Sequence, residues 1–142
     1  MICNKTNIKE DAIIVDIDGT LALMKGVRDP YENHKVHLDN PNIAIINLVN
    51  KIAGNKKRKI KIFIFSGRMN ESFNNPIVFN GKKYNDTYEL TKIWLNKYLG
   101  KTMYDNLTLR NEGDFRNDAI VKNEMYNRII HNKYNVLYVI DD

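Results

Sequence analysis

The sequence predicts an α/β protein built on a parallel sheet with helices on both faces. Short apolar runs at 12–15, 60–65, 107–109 and 136–140 alternate with stretches of helical spacing, the pattern of βα repeats. The first run, Ala12-Ile13-Ile14-Val15, is continuously apolar, as in a strand buried on both faces. Asp16, Ser66 and Asp141 each fall just after or at the end of such a run. In open parallel sheets, ligands bind beyond those carboxyl ends.

Residues 1–10 are polar and are expected to form a flexible N-terminal tail without a signal-peptide pattern. The first strand, 12–15, closes on Asp16-Ile17-Asp18-Gly19-Thr20. Leu21 to Asp39 reads as irregular, broken by Gly26 and Pro30. Asp39-Asn40-Pro41 reads as a helix start, with Asp39 as the capping side chain. That helix carries Ile43, Ile46, Leu48, Val49 and Ile52 and stops near Gly54. A basic loop, Asn55 to Lys59, leads to the second strand, Ile60 to Phe65, and to Ser66-Gly67-Arg68. Met69 to Asp86 reads as loop. Thr87 to Leu99 has helical spacing through Leu90, Ile93, Trp94 and Tyr98, with Gly100 at its end. After Leu107-Thr108-Leu109, Asp118 is expected to cap a helix bearing Ile120, Val121, Met125, Ile129 and Ile130. The final strand, Val136 to Ile140, ends in Asp141-Asp142.

The 142 residues fit one domain, and a 43% hydrophobic content suffices for a buried core. No apolar run approaches the roughly 20 residues of a membrane span. A soluble cytoplasmic protein is expected, in the host cytoplasm if the source is viral, with no membrane partner. Cys3 is the only cysteine, which excludes an internal disulfide and a cysteine metal cluster. The net charge of +5 favours an anionic partner without naming one.

The chemistry concentrates at the strand ends. Asp16 and Asp18 are two apart, the spacing that puts side chains on one side of an extended strand. Two carboxylates about 4 Å apart repel by roughly 4 kcal/mol at an effective dielectric near 20. A hard cation such as Mg²⁺ relieves that conflict because it prefers oxygen ligands. Asp141 and Asp142, ending another strand, complete a metal set of Asp16, Asp18, Asp141 and Asp142. Gly19 allows a sharp turn, and Thr20 can donate a hydrogen bond. A phosphate ester approached by a carboxylate also needs a cation and a hydroxyl donor, and Lys122 and Ser66 are available. Asp118 and Lys122 lie one helical turn apart and share a face.

These residues resemble the four motifs of the haloacid dehalogenase (HAD) superfamily. Asp16-Ile17-Asp18-Gly19-Thr20-Leu21 is similar to the first, Ser66 to the second, Lys122 to the third and Asp141-Asp142 to the fourth. The resemblance implies a Rossmann-like, HAD-type sheet with small cap insertions, a Mg²⁺ cofactor and phosphatase activity. It implies that Asp16 becomes a phosphoaspartate and that Asp18 protonates the leaving oxygen and then activates water. A narrower resemblance, from about Asp11 to Asp142, is to the 3′-phosphatase domains of bacteriophage polynucleotide kinase/phosphatases. It rests on Arg28-x-Pro30-Tyr31, Ser66-Gly67-Arg68, Thr91-Lys92-x-Trp94, Gly113-Asp114-x-Arg116-x-Asp118 and Lys122-x-Glu124. It implies catalytic Asp16, Asp18, Ser66 and Lys122, and substrate binding by Thr20, Arg28, Gly67, Arg68, Arg116 and Asp118. The expected substrate is a 3′-phosphorylated DNA or RNA end, or a nucleotide, in a repair setting.

The family's further C-terminal helix and strand are expected to be missing after Asp142, leaving Val136 to Ile140 as an exposed edge open to self-association. No Gly-rich Lys-Ser/Thr phosphate loop occurs in the chain, so a kinase or ligase would be a separate partner. Two alternatives stand beside the 3′-phosphatase: a HAD phosphatase of mononucleotides or small phosphate esters, and a truncated, non-catalytic remnant. The run Lys56-Lys57-Arg58-Lys59 is expected at the far end of the sheet from Asp16, so substrate contacts are assigned instead to Lys25, Arg28, Arg68, Lys82, Lys83 and Arg116.

Overall fold

β-Branched Ile13, Ile14 and Val15 favour an extended backbone and place β1 (Glu10–Val15) inside the sheet. A computed structural model describes residues 8–100 and 103–142. Along the chain follow β2 (Ala22–Leu23), a 3₁₀ helix (Asn33–Leu38), β3 (Asn40–Pro41), α1 (Ile43–Ala53), β4 (Ile60–Met69), β5 (Ser72–Phe79) and β6 (Lys82–Asp86). Then come α2 (Thr87–Tyr98), β7 (Asn106–Arg110), α3 (Asp118–Ile129) and β8 (Tyr134–Ile140). Most of the expected N-terminal tail, with Cys3, lies outside the described residues, and Glu10 at its end already belongs to β1.

The main sheet has four parallel strands in the order β7-β4-β1-β8. Side chains alternate across it. Ile13, Val15, Ile62, Ile64, Leu107 and Leu109 face Ile46 and Val49 of α1 and Trp94 and Leu95 of α2. Ala12, Ile14, Phe63 and Phe65 face Val121 and Met125 of α3 and Ile130 just beyond it. The predicted α/β class, with helices on both faces, is therefore the observed one. No helix among the described residues is long and apolar enough to cross a membrane.

Three local readings are corrected. Asp39 does not cap α1; Asn42 holds that position, while Pro41 pairs with Ala22 in the β2–β3 ribbon and Asp39 is drawn inward by two arginines. Asp118 does not cap α3 either. Asn117 does, accepting the Ala119 N–H at 2.9 Å, which leaves Asp118 inside the first turn. The stretch 69–86 is not a loop: β4 runs on to Met69, and β5 and β6 form an antiparallel hairpin around Asn80-Gly81, a hairpin-turn signature. The hairpin was hard to read because its pairing is interrupted between Ser72 and Ile77. Pro76, without an N–H, falls in that gap.

Among the described residues β8 has β1 as its only neighbour, so the strand expected at the edge is there. Tyr138 and Val139 on it are 62% and 63% exposed. An unpaired edge with apolar side chains is a template for another chain. The chain is expected to self-associate with rising concentration, and Tyr138→Lys combined with Val139→Lys should return it to monomer by light scattering. A parent chain that stays monomeric at the highest concentration reached would contradict this.

Candidate active site

Asp16 leaves β1 with its N–H on the Ile140 carbonyl at 3.0 Å, which ties the ends of β1 and β8 together. The next residues fold into a tight turn: the Ile17 carbonyl accepts the N–H groups of Thr20, Leu21 and Ala22 at 2.9–3.1 Å. Gly19 sits in that turn at φ +82°, and a Cβ there would lie 2.3 Å from Asp142 Oδ2. The absent side chain is what lets Asp142 close on the loop.

Asp16, Asp141 and Asp142 each offer a carboxylate oxygen, and these lie within 4.8 Å of one another. An all-oxygen donor set of this kind suits a hard divalent cation. The fourth expected ligand, Asp18, is not among them. Its carboxylate turns away to accept Arg28 Nη2 at 3.0 Å and Arg68 Nη2 at 2.7 Å. Two guanidinium groups answer its charge in place of a shared metal.

Lys122 reaches in from α3. Its Nζ lies 3.0 Å from Asp16 Oδ1, 3.2 Å from Asp118 Oδ2 and 3.2 Å from Asp141 Oδ2. Burial works against its charge, yet Asp16 and Asp118 hold the ammonium above the ordinary lysine range. Burial pushes the Asp16 carboxyl up to about 6, against the opposing pull of Lys122. Asp118 depends on a second close approach. A Cβ on Gly67 would stand 1.9 Å from Asp118 Oδ1, so only glycine admits that carboxylate to the end of β4.

Behind the turn lies a buried ion cluster. Asp39, with no exposed side-chain surface, accepts Arg28 Nε at 2.8 Å, Arg28 Nη2 at 2.9 Å and Arg68 Nη2 at 3.0 Å. Arg68 also donates to Thr91 Oγ1 at 3.1 Å, and Trp94 Nε1 donates to the Asp39 carbonyl at 2.8 Å. Arg28 and Arg68 thus face Asp18 and Asp39, not solvent. Ser66 is fully buried, and its Oγ accepts the Arg68 N–H at 3.1 Å. Thr20 Oγ1 is buried with no partner among the described residues.

These groups open onto a cleft of about 1040 Å³ lined by Asp16, Asp18, Gly67, Arg68, Arg116, Asp118, Lys122, Asp141 and Asp142. Of the expected site residues, Thr20, Arg28 and Ser66 lie behind its wall. Arg116 lines it but is engaged with Asp114 at 2.8 Å and Glu124 at 2.6 Å, and its guanidinium holds the Asp114 carboxyl down to about 2. Lys56, Lys57 and Lys59 do not line the cleft. Arg58 bonds Asp11, at the amino end of β1, which puts the basic run at the far end of the sheet as expected.

Two residues of the site were not foreseen. Asp39 had been read only as a helix cap. Arg110, the last residue of β7, donates to the Gly67 carbonyl at 2.9 Å and to Asp118 Oδ1 at 3.1 Å. Its place at a strand end was the signal, by the rule that singled out Asp16.

A family model described as the polynucleotide kinase PNKP phosphatase domain matches residues 10–142. A chain in the structure of the Pnkp1/Rnl/Hen1 RNA repair complex is 31% identical with a TM-score of 0.73, covering 94% of this chain and 36% of that one. A chain in a second Pnkp1/Rnl/Hen1 complex is 30% identical with a TM-score of 0.71, covering 94% and 39%. The present chain therefore spans less than two-fifths of the length of either.

Removing one side of the buried cluster leaves uncompensated charge. Asp39→Ala should destabilise the fold by about 3–5 kcal/mol, read as a lowered urea midpoint with an unchanged slope. A midpoint within error of the parent would mean that Arg28 and Arg68 do not rely on Asp39.

Proposed function

The chain belongs to the family of HAD-type polynucleotide kinase PNKP phosphatase domains, and from that premise we propose that it is a Mg²⁺-dependent phosphatase that removes the terminal 3′-phosphate of DNA or RNA. The observation that carries this reading is the convergence of Asp16, Asp141 and Asp142 within 4.8 Å, with Lys122 Nζ 3.0 Å from Asp16. A carboxylate nucleophile, a hard-cation site and a fixed cation share one cleft.

Bound Mg²⁺ would be held by Asp16, Asp141 and Asp142 and would screen the negative charge that otherwise keeps a carboxylate from a phosphate ester. An Asp16 oxygen forms the new bond to phosphorus while the ester P–O bond breaks. The leaving oxygen takes a proton from Asp18. Asp18 Oδ1 receives both guanidinium groups, whereas Oδ2 receives a single contact, Arg68 Nε at 3.1 Å. Oδ2 is therefore the oxygen assigned to carry the proton. Water then attacks phosphorus and gives its proton to Asp18. Inorganic phosphate leaves, and Asp16 regains its carboxylate. Lys122, fixed by Asp118 and Asp141, offsets charge at the reacting phosphate without having to reorganise. The Ser66 and Thr20 hydroxyls are buried behind the cleft wall and are assigned no step.

Asp16, Lys122 and Asp141-Asp142, from the first, third and fourth motifs, line one cleft together with Gly67 and Arg68 beside the buried Ser66, which favours catalysis over a non-catalytic remnant. The two structural relatives are named for complexes with additional proteins, Rnl and Hen1, which supports other proteins acting alongside this domain.

Three measurements test this reading. Phosphate release with Mg²⁺ should be faster from a 3′-phosphorylated oligonucleotide than from its 5′-phosphorylated counterpart or a 3′-mononucleotide. A preference for the mononucleotide would favour the small-substrate alternative. Asp16→Asn should abolish turnover in a folded protein, since a carboxamide cannot form the acyl phosphate, and substantial residual activity would exclude Asp16 as nucleophile. Chelation of the divalent ion should stop release from every substrate.

A further inference from the structure

The charge of the cleft runs opposite to that of the chain. The chain carries a net +5, yet among the described residues eight acidic and four basic side chains line the cleft. All four bases are engaged. Arg68 serves Asp18 and Asp39, Arg110 serves Asp118, Arg116 serves Asp114 and Glu124, and Lys122 serves Asp16, Asp118 and Asp141. Phosphodiesters next to the reacting phosphate would meet no uncommitted cation on these walls. A nucleic-acid end held here needs a grip that is not ionic.

Two side chains offer one. Of the exposed large hydrophobic residues, Tyr31 and Phe115 line the cleft, at 91% and 86% exposure. An aromatic ring left so open gains nothing from burial in the fold. Nor is its exposure slack in a loose loop. Arg110 Nη1 donates to the carbonyls of Asp114 and Arg116 at 3.1 and 2.5 Å, on either side of Phe115. The Arg116 N–H closes the same turn on Asp114 Oδ1 at 3.1 Å. Tyr31 is presented in a similar way. Arg28 Nη1 donates to the carbonyls of Asp29 and Pro30 at 3.3 and 3.2 Å, and the Asn33 N–H binds the Tyr31 carbonyl at 2.9 Å. Each ring stands on a turn fixed by an arginine whose other contacts reach into the site. Fixed presentation reduces the ordering cost of binding.

We propose that Phe115, with Tyr31 as a second face, stacks on the terminal nucleobase of the substrate, so that specificity for a nucleic-acid end comes from the base plane and not from the phosphate backbone. Stacking tolerates any base because every base has a π-face. The substrate class is then a nucleoside 3′-phosphate terminus with its base present and free to unstack, as in single strands. This inference rests on the phosphatase reading and refines its substrate.

The test compares a 3′-phosphorylated oligothymidylate with the same oligonucleotide ending in an abasic 3′-phosphate. Stacking on one aromatic is worth about 1–3 kcal/mol by alanine substitution, or roughly 5- to 150-fold at about 1.4 kcal/mol per tenfold. In the parent the base-terminated substrate should have the higher kcat/KM by a factor in that range. Phe115→Ala should collapse the ratio toward one, chiefly through KM, whereas Phe115→Trp should keep it. Tyr31→Ala should lower it as well. Both side chains are exposed, so the variants should melt at the parent temperature. A second arm measures binding of the same two oligonucleotides by fluorescence anisotropy in the Asp16→Asn background, where the same ratio should appear in Kd. An equal ratio in the parent and Phe115→Ala, in both arms, overturns the proposal, and it is the result expected if these rings dock a protein instead. Base-dependent binding lost in Phe115→Ala, without turnover of any phosphate ester by the parent, would sink the phosphatase reading and leave this inference standing.

Discussion

Carboxylate crowding at the carboxyl ends of β1 and β8 is the constraint around which this part of the molecule is arranged. The Asp16 N–H bonds the Ile140 carbonyl, so the pairing of β1 with β8 necessarily brings Asp16, Asp141 and Asp142 together. Asp16 is the buried member of the three, and a buried carboxylate needs a compensating partner. Lys122 answers part of that charge, at 3.0–3.2 Å from three carboxylates. Its own position is set by Asp118, which Arg110 holds from the other side and which Gly67 alone leaves room for. The site is thus a chain of alternating charges, Arg110–Asp118–Lys122–Asp16, running from the end of β7 to the end of β1. What remains negative is what a divalent cation can use.

A second alternating network lies deeper, and it answers a different need. Arg28 and Arg68 share Asp39 in the interior and extend to Asp18 at the cleft. Buried ion pairs of this kind seldom add net stability over apolar packing. Here the arrangement fixes which way Asp18 faces, and Arg28 also shapes the turn that displays Tyr31. Trp94 in α2 completes the enclosure by binding the Asp39 carbonyl. The interior cost is therefore tied to orientation at the surface, with Arg28 serving both the site and the turn on its rim.

The fold was legible wherever burial imposes periodicity. Ile13, Val15, Ile62 and Ile64 on one face alternate with Ala12, Ile14, Phe63 and Phe65 on the other, in a sheet covered on both sides, so their strands stand out as apolar runs. The β5–β6 hairpin did not, because it is half exposed and interrupted at Pro76. Asp39 and Asp118 were misread for a shared reason. Each is an acidic residue just before or at a helix start, where capping is the usual explanation; the folded chain reveals the arginines that claim Asp39 and the Asn117 cap, whereas the Asp118–Lys122 pair follows from its one-turn spacing. Asp18 was grouped with the metal ligands by its spacing from Asp16, but spacing constrains a side chain only while the strand stays extended, and the backbone turns at Ile17. Arg110 could have been found by extending the strand-end rule to every strand. Arg116 lines the cleft, but its pairing with Asp114 and Glu124 depends on a loop geometry that no sequence period encodes.

The central claim is that Asp16 accepts the phosphoryl group. Its most direct test is acid quenching of a rapid reaction with Mg²⁺ and a 3′-[³²P]phosphorylated oligonucleotide, followed by peptide mapping of any labelled protein. The account predicts transient label on the peptide containing Asp16, sensitive to hydroxylamine as an acyl phosphate should be, and absent in Asp16→Asn. Phosphate release at the normal rate with no labelled protein at any quench time, or label on a peptide lacking Asp16, would contradict it.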